Sequence, residues 1–201
     1  MTAVAGDTVL TESDPFRLRL LDGLDASIRE RGYRASTVAD IVRHARTSKR
    51  TFYDRFASKE QCFLELLRLE VAITAEDIRG AVDPAADWQK QIRQAVEGYV
   101  GSIESRPAIA LSWIRELPYL GEVARPVQRQ GLDLLANLLI DLSGSPGFQR
   151  AGLPPLSPPL AVILLGGLRE LVALAVEDGR STRDIVEPAV DAAIALLGPR
   201  A

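Results

Sequence analysis

The chain has 201 residues, 47% of them hydrophobic and 25% charged, so it can bury a sizeable core and wholesale disorder is excluded. Its net charge of −3 is unevenly spread: residues 29–59 carry nine basic and three acidic groups, whereas residues 61–201 carry 13 basic and 18 acidic ones. One basic face on a neutral-to-acidic body follows. The single cysteine, Cys62, excludes an intramolecular disulfide and fits a reducing cytoplasm.

Residues 1–14 lack the basic and apolar regions of a signal peptide and read as a flexible arm. Helical periodicity then dominates, and no alternating strand pattern stands out. A first helix is expected from Pro15 or Phe16 to Arg31, with Phe16, Leu20, Leu24 and Ile28 on one face and Gly32 at its end. Thr37, with Asp40 three residues on, opens a second helix over Val38–Ala45. Ser48 or Thr47 opens a third over Lys49–Phe56, and the pair Ser58 and Gln61 opens a fourth that runs to about Ala81.

Proline and glycine punctuate the rest. Helices are expected at Trp88–Ser105, at Pro107–Leu117 and at Leu120–Leu142, the last kinked at Pro126. Residues 143–159 read as a loop. Helices at Leu160–Glu177 and at Thr182–Leu197, bent at Pro188, complete a nine-helix, all-α chain. The apolar run Leu160–Leu168 is too short to span a bilayer and reads as a buried helix, so no membrane is expected.

Two short helices joined by Ala45-Arg46-Thr47 have the dimensions of a helix-turn-helix, whose second helix enters the major groove of DNA. Val38, Ile41, Val42, Ala45, Phe52 and Phe56 supply its inner seam, leaving Lys49, Arg50, Thr51, Tyr53 and Arg55 outside. Those side chains bond phosphates and base edges. The competing structural roles are a cap for Thr37, packing on the first helix for Tyr53, and a plain surface position for His44.

The string from Thr37 through Ser48-Lys-Arg-Thr-Phe-Tyr-Asp-Arg-Phe56 to Lys59-Glu60, preceded by Gly32-Tyr33, resembles the signature of the TetR family of transcription regulators. The resemblance covers residues 15–65. It implies a TetR-like fold: a flexible arm over 1–14, a three-helix DNA-binding domain over 15–57, and a ligand-binding and dimerisation domain over 58–201. By that resemblance Thr37, Tyr53 and Lys59 would hold phosphates, Lys49, Arg50 and Thr51 would face bases, and Arg55 would reach the backbone, with Ser48 also on the DNA-binding surface. Arg46 stands where the family usually has glycine, and is either a mildly strained turn residue or an added phosphate contact, the contact being the favoured reading.

The resemblance further implies a homodimer on double-stranded operator DNA, formed by the last two helices. Gly166, Gly167, Ala173, Ile185, Ala189, Val190, Ala193, Ile194 and Leu197 are the candidate interface. A small apolar or amphipathic ligand would occupy the middle helices, with Trp88, Tyr99, Trp113, Arg115, Glu116, Tyr119, Asn137 and Arg169 as candidate contacts. The stretch 113–119 mixes aromatic and charged groups beside a helix break and is a candidate switch.

Repression released by ligand is the default reading, and activation is compatible with the same residues. A helical adaptor without DNA recognition is the rival from another class. No catalytic triad, metal-ligand spacing or phosphate loop is visible, so neither an enzyme nor a cofactor is expected.

Overall fold

A computed structural model describes residues 14–199, so the expected arm lies outside the described residues except for Asp14. Among these residues the structure is all α, with no strand. Helix α1 (Pro15–Ala35) starts where the Asp14 carboxylate accepts the amide of Phe16, with Pro15 in its first turn. It is interrupted at Gly32, which takes φ 78°, a conformation open to glycine. One more turn follows to Ala35.

α2 (Val38–His44) carries the full capping box: Thr37 accepts the amide of Asp40, and the Asp40 carboxylate accepts that of Thr37. α3 (Lys49–Tyr53) is capped by Ser48, which accepts the amide of Thr51. α4 (Lys59–Ala81) is capped by Ser58, which accepts the amide of Gln61. Leu20, Leu24, Ile28, Ile41, Phe52, Phe56, Phe63 and Leu67 make one buried core from these four helices. It continues past residue 57 along α4 and takes in Ile109 and Leu117. α4 therefore carries both the N-terminal core and, through Ala75 and Ile78, the second one. Cys62 lies in the first turns of α4, with no exposed surface, and burial pushes its thiol up to about 12.

α5 (Trp88–Glu104) packs along α4. The next stretch departs from the sequence expectation. Instead of one helix over 107–117 and another over 120–142, α6 (Pro107–Leu111) widens into a π turn at Ser112–Glu116 and then tightens into a 3-10 segment, Leu117–Val123. Gly121 adopts φ 63° within that segment. α7 (Arg125–Ser143) begins only afterwards, so Pro126 sits in its first turn, where its missing amide has no partner to lose, and does not kink it. Within the expected loop 143–159, Pro146 opens a short α8 (Pro146–Arg150), which brings the α-helix count among the described residues to ten.

α9 spans Pro158–Glu177 and α10 spans Val186–Leu197, after a 3-10 turn at Thr182–Ile185. Pro188 is the third residue of α10, inside the first turn, and needs no bend. The apolar stretch of α9 resumes after Arg169 and Glu170. By length and composition α9 is therefore long and apolar enough to cross a membrane, which corrects the shorter run read from the sequence, and 28% of that window is buried inside the protein.

One buried carboxylate carries a pH-dependent penalty. Asp25 of α1 is 8% exposed; its Oδ2 pairs with Arg29 at 2.9 Å, while Oδ1 has no hydrogen-bond partner. Burial raises its pKa above the ordinary 3.8, so folding favours the protonated form. The penalty therefore grows as pH rises from the ordinary carboxylate range through the folded value. Asp25→Asn is expected to be more stable than the parent at pH 7, with a smaller gain at about pH 4. Urea unfolding of both proteins at the two pH values measures this; equal differences at both would refute it.

Candidate nucleic-acid interface and ligand cavities

The turn between α2 and α3 and the first half of α3 gather the uncompensated cations of the N-terminal domain. Phe52 is fully buried, whereas Lys49, Arg50 and Tyr53 are exposed, at positions i, i+1 and i+4 of one short helix. Tyr53 is 58% exposed, its ring meeting only the edge of Phe52, so it does not pack into α1. Arg31 and Arg43 are paired with Glu30 and Asp40. Glu30 also meets His44, and the Arg31, Arg43 and His44 contacts hold its carboxyl down at about 2. Among the described residues, Arg46, Lys49 and Arg50 form no ion pair. Arg46 has φ 49°, the left-handed conformation that the turn requires, and Arg19 donates to its carbonyl and to that of Ala45.

The other candidate DNA contacts are already engaged within the domain. Thr37 and Ser48 are exposed, and both accept a backbone amide as caps. The Thr51 hydroxyl lies 2.9 Å from that of Ser48. Arg55 turns inward: its guanidinium pairs with Asp14 at 2.7 Å and stacks 5.0 Å from the Phe16 ring. Lys59 donates to the carbonyls of Tyr33 and Ser36, closing the end of α1, with its ammonium 4.3 Å from the Tyr33 ring. Sequence spacing exposes residues by helical period, but it does not report a neighbouring carbonyl or carboxylate that captures the charge.

Two cavities lie in the larger helical body. The larger, about 270 Å³, is bounded by α4, α5, α7, α8, α9 and α10, opens to the surface beside the exposed Ile163, Leu171 and Leu196, and has an almost wholly aliphatic wall. The smaller, about 120 Å³, lies between α4, α5, α6, α7 and α9, and brings Glu70, Arg106, Gln128 and Arg169 to an otherwise apolar wall. Arg106 is ion-paired with Glu70, whose burial raises its pKa against that pairing.

Of the candidate ligand contacts, Tyr99 lines both cavities, and Trp113 and Arg169 line the smaller one. The Trp113 ring lies over Gly131, where an added Cβ would come within 2.6 Å of it. The remaining five line neither cavity. Trp88 is buried against Phe148, Asn137 is exposed on α7, and Tyr119 is 76% exposed beside Arg34. Arg115 is bridged to Glu170 and Glu177, and Glu116 to Arg34 at 2.6 Å. Aromatic and charged side chains were the conspicuous candidates, whereas the wall is built from leucine, isoleucine, valine and alanine, which carry no local mark.

The candidate interface also divides. Ala173, Ile185, Val190 and Ala193 are buried in the core of their own protomer and offer no surface to a second one. Gly166 and Gly167 are exposed, and Ala189, Ile194 and Leu197 are half-buried. The outward apolar side chains of α9 are Val162, Ile163, Leu171 and Leu174, and Leu196 is that of α10. Sequence reasoning missed all five, because an apolar stripe does not say which neighbour covers it.

Residues 20–66 match the family model described as bacterial regulatory proteins, tetR family. A 91-residue stretch is 31% identical to the HTH-type transcriptional activator FasR of Mycolicibacterium smegmatis, covering 45% of this chain and 42% of that relative's length. Among solved structures, the fatty acid degradation regulator FadR of Bacillus halodurans superposes with a TM-score of 0.78 at 21% identity, over 94% of this chain and all of that one. FadR of Bacillus subtilis, in complex with stearoyl-CoA, superposes with a TM-score of 0.74 at 18% identity, over 91% of this chain and 99% of that one. At such identities the two superpositions speak for the fold.

Proposed function

We propose that the chain, whose residues 20–66 match the TetR family model, is a TetR-type regulator that acts as a cytoplasmic homodimer, reads a two-fold operator with α3 and changes its grip when a ligand fills the helical body. The observation that carries this reading is the group of unpaired cations at Arg46, Lys49 and Arg50 beside the exposed Tyr53. Lys49 and Arg50 would face base edges, and Arg46 and Tyr53 phosphates, with Thr37, Ser48 and Thr51 completing the docking surface. Arg55 and Lys59 would act from behind, by fixing α3 and α4 against α1.

The outward side chains of α9 favour a second copy over a bilayer as their cover. Arg169 and Glu170 fall in the middle of that helix, where a charge in hydrocarbon costs roughly 2.5–3.5 kcal/mol. A two-fold dimer places two α3 helices at the repeat of the major groove, about 34–36 Å. The stretch 113–119 would carry the signal, since Arg115 is tied to α9 and Glu116 to the last turn of α1. The aliphatic wall of the larger cavity, together with the stearoyl-CoA held by the Bacillus subtilis neighbour, supports a ligand with a long acyl chain. To weaken DNA binding, that ligand must bind the DNA-incompetent state more tightly.

Selection from random duplex DNA, repeated with Tyr53→Ala and Arg50→Ala, tests the reading. An enriched palindrome is expected, lost in Tyr53→Ala and altered in Arg50→Ala; no enrichment at low salt refutes DNA recognition and leaves a helical adaptor. A reporter carrying the selected site separates repression from activation, the second reading being favoured by the activator FasR among the relatives.

Arg46→Gly provides an independent check. Removing a left-handed non-glycine residue is expected to stabilise the fold by about 1 kcal/mol. Losing a phosphate contact should lower the dependence of log affinity on log salt by about one. An unchanged salt slope would remove Arg46 from the interface.

A further inference from the structure

The two cavities share part of their walls. Tyr99 of α5 and Leu165 of α9 line both, so side chains stand between the chambers. Taken singly, the chambers lie below the usual 300–1,000 Å³ of a small-molecule site; joined, they enter that range.

Their chemistries are complementary. Apart from the Tyr99 hydroxyl at the partition, the polar side chains on the larger wall are Gln91 and Ser143, and both are already committed. Gln91 donates to the carbonyls of Pro84 and Ala86 and accepts from Ser145. Ser143 donates to Ile140 and accepts the amide of Leu156. Past the Tyr99 partition that chamber therefore rewards only hydrocarbon. In the smaller chamber Arg106 is engaged with Glu70, and Thr74 with Ser102 and the Glu70 carbonyl. Gln128 and Arg169 remain, and of the two Arg169 carries charge: it lines the chamber, is exposed at its rim, and has no ion pair among the described residues.

We propose that the two cavities form one bent site for a single-tailed amphiphile with an anionic head, the head held at Arg169 and the tail passing Tyr99 and Leu165 into the larger chamber, so that these two side chains set the preferred chain length. The proposal rests on the reading of the helical body as a ligand site. A short tail stays in the smaller chamber, which is also polar. A longer tail gains area only by displacing the Tyr99 ring, after which each added methylene is buried against aliphatic wall. Affinity should therefore rise in a step, then level off when the larger chamber is full.

The test measures binding of saturated carboxylates of 8 to 18 carbons, their coenzyme A thioesters and the matching alcohols to the full chain by calorimetry. The parent should show the step, and the carboxylate and thioester arms distinguish a free acid from a thioester as the source of the anionic head. Tyr99→Ala and, separately, Leu165→Ala should abolish the step and improve binding of short chains, while Tyr99→Phe, which keeps the ring, should retain it. Arg169→Gln should weaken carboxylates at least tenfold and leave alcohols unchanged. If no amphiphile of any length binds the parent, the ligand reading itself fails. If they bind and Tyr99→Ala and Leu165→Ala show the same length profile as the parent, the partition is refuted. If Arg169→Gln weakens acids and alcohols alike, the head does not lie at Arg169.

Discussion

Phe63→Ala is expected to lower folding stability by about 3–5 kcal/mol, a large share of the roughly 5–15 kcal/mol typical of a domain. Phe63 has no exposed surface and stacks on Tyr33 with ring centroids 3.9 Å apart. That stack joins the start of α4 to the end of α1, and Tyr33 in turn carries Lys59 on its ring and, through its carbonyl, at its backbone. Truncation leaves a cavity where the two cores share α4, and frees Tyr33, whose buried hydroxyl already lacks a partner. Urea unfolding monitored by circular dichroism measures the loss. A change under about 1 kcal/mol would mean that the site collapses around the smaller side chain. DNA affinity should fall as well, since the α1 end that Phe63 supports leads directly into the Thr37 cap of α2.

Gly147→Ala is expected to destabilise by about 3 kcal/mol, at the upper end of overpacking. An added Cβ would fall well inside contact distance of the Ala86 carbonyl and of the Gln91 amide. Neither can yield cheaply. Gln91 is 2% exposed and uses both amide hydrogens and its oxygen to tie the α4–α5 connection to Ser145. Moving it leaves a buried amide unsatisfied, at a further cost of about 1–3 kcal/mol. Gly101→Ala in α5 is the control: nothing lies within 4 Å of its added Cβ, and a helix interior favours alanine by about 1 kcal/mol. Opposite signs of the two changes in thermal unfolding are the expected result, and a neutral Gly147→Ala would show that the Gln91 junction is soft.

These two glycines also mark what the sequence conveys. The caps at Thr37, Ser48 and Ser58 are local chemistry: a hydroxyl and an amide three residues apart decide a helix start, so α2, α3 and α4 were legible to within a residue or so at their starts. α8 was not, because five residues that begin Pro-Gly after the Ser145 cap form a helix only when Gln91 and Pro84, more than fifty residues away, hold them. The same division runs through the candidate site. Exposure of Lys49, Arg50 and Tyr53 follows from period and burial of Phe52. The capture of Lys59 by the end of α1, the π turn that presents Trp113 to Gly131, and the burial of Val190 and Ala193 in their own protomer are all tertiary facts, and no periodicity distinguishes them from the alternatives.

The burial of Cys62 has a kinetic side. With its thiol pushed up to about 12 by burial, it carries almost no thiolate at pH 7. Closed inside the N-terminal core, that thiolate is also out of reach of any reagent. Modification must therefore wait for this part of the fold to open, and with an excess of a thiol-specific dye the labelling rate becomes a clock for that opening. On the proposed reading, operator DNA that held the closed form would slow such a clock, and a ligand in the helical body, working through the shared α4, would change its pace without touching the cysteine. The single sulfhydryl would then report, from inside one core, on events in the other.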